Sequence, residues 1–370
     1  MSGAGRASVT ATVSGMAINA KTTPFQVGVE WMTGYRPSWQ PYLVSAFQNI
    51  SDIGANNVML TPTWHVTRQN PPVIELIPGQ DALWADMTQA IAQARQKGLE
   101  VSLHPVLVYG EDPNAWWKNG VRDSGWWQTW FASYRTFILY YADLAAQTGA
   151  RSLVIGDGSL IPAFPEGTLA DGSPSGAPAG MDKQWEQLIA EVRAHFKGEV
   201  VWLLADNGRL PPVSGFMTGV DAINVQISAP ILDTAGGSQN DLETRFAALL
   251  DGDIQKAQQQ VNKPLLIGLQ YPSVSGAANG CAGGNAVCLS SLALNQPWLG
   301  NPQGDLSLST QAEIYNAALA AVSQRSWISG IFATGYNPAV GLRDTSNSIR
   351  SKPASDILWY WFPRLTGAKK

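Results

Sequence analysis

The stretch from Tyr42 to Pro62, YLVSAFQNISDIGANNVMLTP, contains one helical segment followed by one strand-like segment. Apolar residues first recur at helical spacing, which predicts a helix over Tyr42–Ile53. A short β-prone run follows and predicts a strand over Asn57–Pro62. From Phe25 onward the same alternation repeats along the chain, and it indicates βαβ units around a parallel sheet.

Eight β-prone runs favour a single (β/α)8 TIM barrel, an α/β fold, over a doubly wound sheet of about six strands. The predicted strands are Gln26–Trp31, Asn57–Pro62, Glu100–Leu107, Ser152–Gly156, Val200–Ala205, Ala222–Ile227, Leu265–Leu269 and Gly330–Thr334. The predicted helices are Tyr42–Ile53, Asp81–Lys97, Trp126–Thr148, Asp182–Phe196, Leu242–Val261 and Thr310–Gln324. Between strands five and six, Pro211-Pro212 argues against a long helix.

No linker divides the chain, so one barrel domain is predicted over residues 25–364. Residues 1–24 are small and polar and are interpreted as a flexible leader or a short extra strand, and residues 365–370 as a tail. The segments Pro162–Gly180 and Gly276–Gly304 are rich in Gly, Pro and Ser and each follows a strand. They are therefore predicted to be long βα loops.

The composition of the chain excludes several classes of protein. Of 370 residues, 45% are hydrophobic and 14% are charged, which excludes a disordered chain, a collagen-like repeat and a disulfide-stabilised miniprotein. The net charge is −4 and no basic cluster occurs, so nucleic-acid binding is not predicted. No apolar run of about twenty residues could cross a bilayer. The 15 tryptophans suit sugar stacking as well as core packing.

The two cysteines, Cys281 and Cys288, lie in a Gly-rich segment with six residues between them. A disulfide is predicted, which favours an oxidising compartment, and the alternative is a pair of free thiols in the cytosol. No signal peptide is visible at the start of the sequence. We expect an extracellular or cell-surface protein whose signal or anchor is not in this chain.

In a barrel of this kind the C-terminal ends of the strands build the functional face. Five acids lie there: Glu30, Asp157 and Asp206, which are the catalytic candidates, and Glu111 and Asp112, which precede Pro113 and are first interpreted as a turn. The other candidates are amide, imidazole and aromatic residues, namely Trp31, Trp64, His65, His104, Asn207, Gln226, Gln270, Tyr271 and Tyr336. Such a mixture can hydrogen-bond sugar hydroxyls and stack on the apolar faces of sugar rings, so a carbohydrate site is predicted.

Neither a cofactor nor a metal is predicted. The chain has no Gly-rich phosphate loop, which argues against a nucleotide cofactor. His65 and His104 end neighbouring strands, but a metal there would need a third ligand and Glu30 is the only obvious candidate. Hydrogen bonding to a sugar or to nearby backbone is the preferred interpretation of both histidines.

Three segments resemble Glycoside Hydrolase Family 113, the β-mannanase-like barrels. DIGANNVMLTPTW at 52–64 is similar to the second strand of that family, and WFASYRTFILYYAD at 130–143 resembles the helix before its fourth strand. Residues 343–362 are similar to its closing strand-to-helix passage. The resemblance runs from about Phe25 to Phe362, and implies a (β/α)8 fold and a carbohydrate ligand, a β-linked glycan such as mannan.

The same resemblance locates two catalytic glutamates that this chain lacks. At strand four the family has Ile-Gly-Asn/Thr-Glu, whereas this chain has IGDG at 155–158. At strand seven the family has Thr-Glu-Ile/Val-Gly-Tyr, whereas this chain has IGLQY at 267–271 and is one residue shorter. Gly158 therefore falls at the acid/base position, and Gly268 or Leu269 at the nucleophile position.

Three functions follow as expectations. The first is a non-catalytic glycan-binding or structural barrel that has lost its hydrolytic pair. The second is an active glycosidase with relocated acids, Asp157 paired with Asp206 or Glu30. The third is a barrel that serves only as a scaffold in a larger cell-surface assembly, with its cleft blocked by the long loops. Each acid also has an ordinary interpretation: Asp157 as a loop cap or sugar ligand, Asp206 as a turn residue, and Glu30 as half of a salt bridge.

Overall fold

Eight parallel strands close into a barrel in the order in which they follow one another along the chain. The computed structural model describes residues 20–21, 24–233, 237–279, 305–341 and 343–368. The strands in chain order are β1 Gln26–Trp31, β2 Asn57–Leu60, β3 Thr63–Arg68, β4 Val73–Glu75, β5 Glu100–Leu103, β6 Val106–Tyr109, β7 Ser152–Val154, β8 Glu199–Asp206, β9 Ala222–Ile227, β10 Leu265–Leu269 and β11 Ile328–Tyr336. The barrel is formed by β1, β2, β5, β7, β8, β9, β10 and β11, and β11 closes it against β1. The predicted (β/α)8 fold is confirmed.

Nine α-helices occur in the described part of the chain, and most of them cover the outside of the barrel. They are α1 Leu43–Asp52, α2 Trp84–Gln96, α3 Pro113–Asn119, α4 Ser124–Thr148, α5 Met181–His195, α6 Gln239–Leu249, α7 Gln255–Val261, α8 Leu308–Ser323 and α9 Pro353–Leu365. The single helix predicted over Leu242–Val261 is wrong in one respect. A π-helical turn at Leu250–Ile254, with Gly252 outside helical geometry, separates α6 from α7.

One predicted strand, Glu100–Leu107, is in fact two strands in different sheets. β5 belongs to the barrel, whereas β6 pairs with β3 in a separate three-stranded sheet with β4. Pro105 lies between them and has no backbone N–H to donate, so the ladder is interrupted there. This small sheet extends the chain beyond the barrel after strands two and three.

The tryptophans after the third barrel strand are packed inside the protein. Trp116, Trp117, Trp126 and Trp127 are all buried, and the rings of Trp116 and Trp117 lie 5.1 Å apart, edge to face. The indole N–H of Trp117 donates to the backbone oxygen of Ser159 at 2.9 Å. These rings therefore fasten the loop that carries α3 to the barrel and do not form an exposed stacking surface.

Side chains alternate between the inside and the outside of the barrel along each strand. On β10, Leu266 packs inside the barrel, whereas Ile267 and Leu269 belong to the core between barrel and helices. Gly268 consequently faces inward, and a Cβ placed on it would lie 3.2 Å from the methyl group of Thr334.

Several predictions concern segments that the structure does not describe. Cys281 and Cys288 lie outside the described residues, as do most of the predicted leader over residues 1–24 and much of the loop over Gly276–Gly304. Among the described helices none combines the length and the apolar character that a membrane span requires.

Candidate functional site

A cavity of about 690 Å³ opens at the C-terminal end of the barrel strands. Its wall is formed by residues from β1, β6, β8, β9, β11 and the loops after β5, β7 and β10. The polar and aromatic groups among its lining residues are Glu30, Trp31, Thr33, His104, Tyr109, Glu111, Asp112, Asp157, Ser159, Gln226, Gln270 and Thr334. The cavity is large enough for a small ligand and carries the polar groups that fix its orientation.

Two acids in this cavity lie on either side of one imidazole ring. His104 Nδ1 is 2.6 Å from Oε1 of Glu30, and its Nε2 is 3.6 Å from Oδ2 of Asp157. The other oxygen of Glu30 accepts from Nε2 of Gln226 at 3.0 Å. The other oxygen of Asp157 accepts from the backbone N–H of Ser159 at 2.7 Å. All four carboxylate oxygens therefore already have a protein partner.

The electrostatics of this group follow from burial and from mutual attraction. Burial alone would lower the pKa of His104, but Asp157 and Glu30 outweigh it and raise the pKa to about 9. Burial alone would raise the pKa of Asp157, but its interactions with His104 and Ser159 outweigh it and the pKa lies below its ordinary value. At neutral pH the centre is thus an imidazolium ion held by two acids, with Asp157 ionised.

The local sequence explains why Asp157 faces the cavity. After β7 the chain reaches Gly156, where a Cβ would lie 2.4 Å from the ring of the buried Trp202. Only glycine fits there without displacing that ring, and the next side chain turns toward the cavity. Asp157 then caps the short 3-10 helix Gly158–Ala163 by accepting from Ser159.

Asp206 lies apart from the other two acids. On β8 the residues that line the cavity are Leu203 and Ala205, so Asp206 faces the opposite way. Its Oδ1 accepts from the backbone N–H of Gly208 at 3.0 Å, within the turn that ends the strand. Burial raises the pKa of Asp206 above its ordinary value. The structure thus brings Glu30 and Asp157 together and leaves Asp206 outside the cavity.

Among the residues predicted to contact sugar, four line the cavity: Trp31, His104, Gln226 and Gln270. Trp31 is largely buried, because its ring packs 5.3 Å from Phe47 and 5.7 Å from Tyr336. Its contribution to the cavity is therefore a fixed apolar edge and not a mobile platform.

Two further candidates belong to the small sheet and not to the barrel. Trp64 lies on β3 and packs against Phe137 at 5.5 Å and Tyr140 at 5.2 Å. His65 directs Nδ1 to Oδ2 of Asp81 at 2.9 Å. The structure therefore places both residues away from the cavity.

The last three candidates also lie away from the cavity. Tyr271 is buried and donates to the backbone oxygen of Ala229, and Tyr336 is buried and donates to that of Ala46. Asn207 is exposed in the turn after β8. Tyr271 follows β10 and faces out of the barrel because it comes directly after the inward-facing Gln270. Tyr336 ends β11 and faces out because the register of β11 against β1 shifts by one residue between Ala333 and Tyr336.

Tyr109 is a cavity residue that the sequence did not single out. Its ring lies 5.2 Å from Trp116, and its buried hydroxyl has no hydrogen-bond partner among the described residues. Burial raises the pKa of this hydroxyl, and the charge of Asp157 adds to the effect. Tyr109 ends β6, of which only Val106 and Leu107 fell within the predicted strand Glu100–Leu107, so its approach to the cavity had no sequence signal.

The described residues hold no group of three or more His, Cys, Asp or Glu side chains that could bind a metal ion. His104 and its two acids form an ion-paired chain in which the imidazole lies between the carboxylates. The chemistry of the cavity is accordingly that of carboxylates, amides, one imidazolium ion and a free phenol.

Residues 31–164 match the family model of Glycoside Hydrolase Family 113. The barrel is similar to those of this family. The β-mannanase AaManA from Alicyclobacillus acidocaldarius, solved in complex with ManMIm, superposes with a TM-score of 0.66 at 20% identity, over 92% of this chain and 98% of that one. A second GH113 β-1,4-mannanase, solved as a complex, superposes with a TM-score of 0.66 at 18% identity, over 91% of this chain and 98% of that one.

More distant barrels also share the fold. GH5_18 from Streptomyces cattleya, solved in complex with GlcNAc, gives a TM-score of 0.55 at 12% identity, over 96% of this chain and 82% of that one. No curated protein matches the sequence. The family match ends at residue 164, so it includes Gly158 but none of the last four barrel strands, β8 to β11. For those four strands only the structural likeness to known proteins is available.

Proposed function

We propose that this protein binds a β-linked glycan in the cavity at the C-terminal end of its barrel and does not hydrolyse it. The fold, the match of residues 31–164 and the chemistry of the cavity wall support a carbohydrate ligand. Two of the structurally similar proteins are β-1,4-mannanases, which supports a β-linked chain such as mannan.

The observation that carries the proposal is the state of the carboxylates. Retaining hydrolysis needs two carboxyl groups roughly 5–5.5 Å apart across the glycosidic bond, one of them free to attack and the other free to donate a proton. Here β10 contributes Gly268 to the barrel interior, and the residue directly after the strand, Gln270, lines the cavity. The two acids that lie deep in the cavity, Glu30 and Asp157, share one imidazole, and each of their oxygens already has a protein partner.

The protonation state of Asp157 points in the same direction. A general acid in a glycosidase is protonated at the working pH, so its pKa is raised. The pKa of Asp157 is instead lowered, because His104 and Ser159 stabilise its charge. A carboxylate of this kind is suited to accept hydrogen bonds from sugar hydroxyls.

The second candidate function is a glycosidase that uses Glu30 and Asp157. The observation that favours it is that both acids face one cavity, on different barrel strands. For it to operate, the glycan would have to displace His104 from at least one of them. That step would cost the stabilisation of a buried ion pair, which makes binding without turnover the better supported function.

We also propose an extracellular or cell-surface location, as a polymeric glycan ligand would require. The proposed location depends on a disulfide between Cys281 and Cys288. Thiol titration of the denatured, unreduced protein tests for this disulfide. No free thiol is expected, and two titratable thiols would contradict the location.

The proposal is tested by titrating β-1,4-mannohexaose and other β-linked oligosaccharides into the protein by calorimetry. We expect saturable binding that Gln270→Ala weakens by roughly tenfold, the loss of about one hydrogen-bonding side chain. Asn207→Ala, a change of an exposed residue outside the cavity, is the matched control and is expected to bind as the wild type does. Absence of binding to any β-linked oligosaccharide would contradict the proposed function.

A further inference from the structure

The charged groups in the cavity are almost all of one sign. Four acids line it, Glu30, Asp157, Glu111 and Asp112, against one cation, His104. No Lys or Arg lines the cavity within the described ranges, and the undescribed residues 280–304 contain no charged residue in their sequence. With the imidazole protonated, the formal charge of the lining is −3.

Two of these acids lie deep and two lie at the rim. Glu30 and Asp157 are held on either side of His104, whereas Glu111 and Asp112 are exposed on the loop that follows β6. Asp112 caps α3 by accepting from the backbone N–H of Ala115. Glu111 has no ion pair or hydrogen bond within the described chain, so its charge is available to a ligand at the entrance.

A second and independent observation also concerns the ligand. The hydroxyl of Tyr109, a residue of this wall, is buried without a hydrogen-bond partner among the described residues. Buried polar groups in proteins are nearly always paired, so an unpaired phenol beside the cavity is a group that a bound polar molecule would satisfy. The phenol oxygen can accept a hydrogen bond from an ammonium group, and the ring of Tyr109 can hold a cation over its face.

We propose that the preferred ligand is a glycan that carries free amino groups, a polymer of hexosamine that is not N-acetylated. This inference rests on the proposed glycan-binding function and names the class of sugar. A cavity wall with a net negative charge attracts positively charged ligands and disfavours negatively charged ones. Cationic glycans therefore bind most tightly, neutral ones such as mannan less tightly, and uronate-bearing or sulfated ones least.

The test compares four β-linked hexasaccharides by calorimetry at low salt: glucosamine, N-acetylglucosamine, mannose and mannuronate hexamers. We expect the glucosamine hexamer to bind at least roughly tenfold more tightly than the neutral two, and the mannuronate hexamer to bind most weakly. Added salt reduces the preference, because rim charges are screened. Spermine, a linear polyamine, is the control for attraction without sugar recognition and is expected to bind more weakly than the glucosamine hexamer.

The variant Glu111→Gln removes one rim charge without touching the packed wall. We expect it to weaken glucosamine-hexamer binding roughly two- to fivefold and to weaken mannohexaose binding less. Glu186→Gln removes an exposed acid from α5, outside the cavity, and is the matched control. Neither change removes a buried contact, so both variants are expected to fold.

The outcomes separate this inference from the proposed function. Equal binding of all hexasaccharides, or spermine binding as tight as that of the glucosamine hexamer, overturns the amino-glycan inference and leaves glycan binding in place. An equal effect of Glu111→Gln and Glu186→Gln overturns it too. If no hexasaccharide binds, the proposed function itself fails.

Discussion

The cavity has two walls that differ in charge. The wall built from the ends of β1, β5 and β7 carries Glu30, His104 and Asp157, and all its formal charge is concentrated in one ion-paired chain. Among the described residues, the wall built from β8 to β11 presents only neutral groups. A retaining glycosidase places its acids on two facing walls with the sugar between them. In this cavity the acids therefore have a cation between them, at the place where a hydrolase needs a glycosidic bond.

The largest effect, on the free energy of unfolding, is expected from removing the imidazolium ion of His104. His104→Gln leaves Glu30 and Asp157 buried without their shared partner, and losing one member of a buried ion pair costs about 3–5 kcal/mol. His195→Gln is the matched control, since its ring pairs with Asp143 at 2.6 Å on the surface, where such a pair is worth about 0–1 kcal/mol. Urea unfolding of both variants measures the difference. Similar losses for the two would show that the charged wall is not an ion-paired unit.

The same wall predicts a pH dependence of stability. The pKa of His104 is raised from 6.5 in the unfolded chain to about 9 in the fold. Its contribution is therefore fully present below pH 6.5 and is lost as the pH rises through 9. The free energy of unfolding of the wild type should fall across this window relative to that of His104→Gln.

Lys352 contributes a slope of opposite sign in part of that window. Burial lowers its pKa to about 8, and the attraction of Asp344 only partly offsets this. Its contribution is common to the wild type and the His104 variant, so the difference between them isolates the histidine. A difference that is flat from pH 6.5 to pH 9 would contradict the raised pKa.

A smaller effect distinguishes the glycines of the two walls. Gly156→Ala places a Cβ 2.4 Å from the ring of Trp202, and overpacking of this kind costs about 1–3 kcal/mol. Gly268→Ala meets nothing closer than 3.2 Å and is expected to cost less than about 1 kcal/mol. Thermal unfolding of the two variants tests whether the barrel interior at Gly268 has room for a side chain. The reverse order would contradict the assigned inward direction of Gly268.

The smallest effect, here on glycan affinity, is expected from a change at Asp206, the acid that faces neither wall of the cavity. Asp206→Asn retains the size of the residue and lies outside the cavity, so glycan affinity should stay within about twofold of the wild type. Asp157→Asn removes a charge from the wall itself and should weaken binding of an amino-bearing glycan by roughly tenfold or more. Calorimetric titration of both variants is the measurement. A larger loss from Asp206→Asn would place the ligand elsewhere.

Much of the barrel could be predicted from the sequence, because hydrophobic periodicity records which side of each element is buried. The strands Ala222–Ile227 and Leu265–Leu269 were predicted to the residue. The small sheet was not predicted, since β3 and β6 directly follow barrel strands and their runs merge with them in the sequence. Periodicity did not predict helix α9 either, and only the family resemblance implied a helix there, although Pro353 at its start is a helix signal.

The site was predictable only in part, for a geometric reason. Placing residues at strand ends identified Glu30, His104 and Asp157, all of which line the cavity. It did not give the direction of each side chain. Successive residues of a strand face opposite sides of the sheet, so an error of one residue in the register reverses every direction. Tyr271 follows Gln270 and therefore faces out of the barrel. That His104 would lie between the two acids depends on contacts between distant strands.

The central claim is binding without bond cleavage, and the most direct test is prolonged incubation of each β-linked hexasaccharide with a molar excess of protein, followed by mass spectrometry. The result expected is intact oligosaccharide under conditions where calorimetry shows the binding site to be filled. Shorter oligosaccharides that form with the wild type and are absent with Asp157→Ala or Glu30→Gln would contradict it and establish a hydrolase.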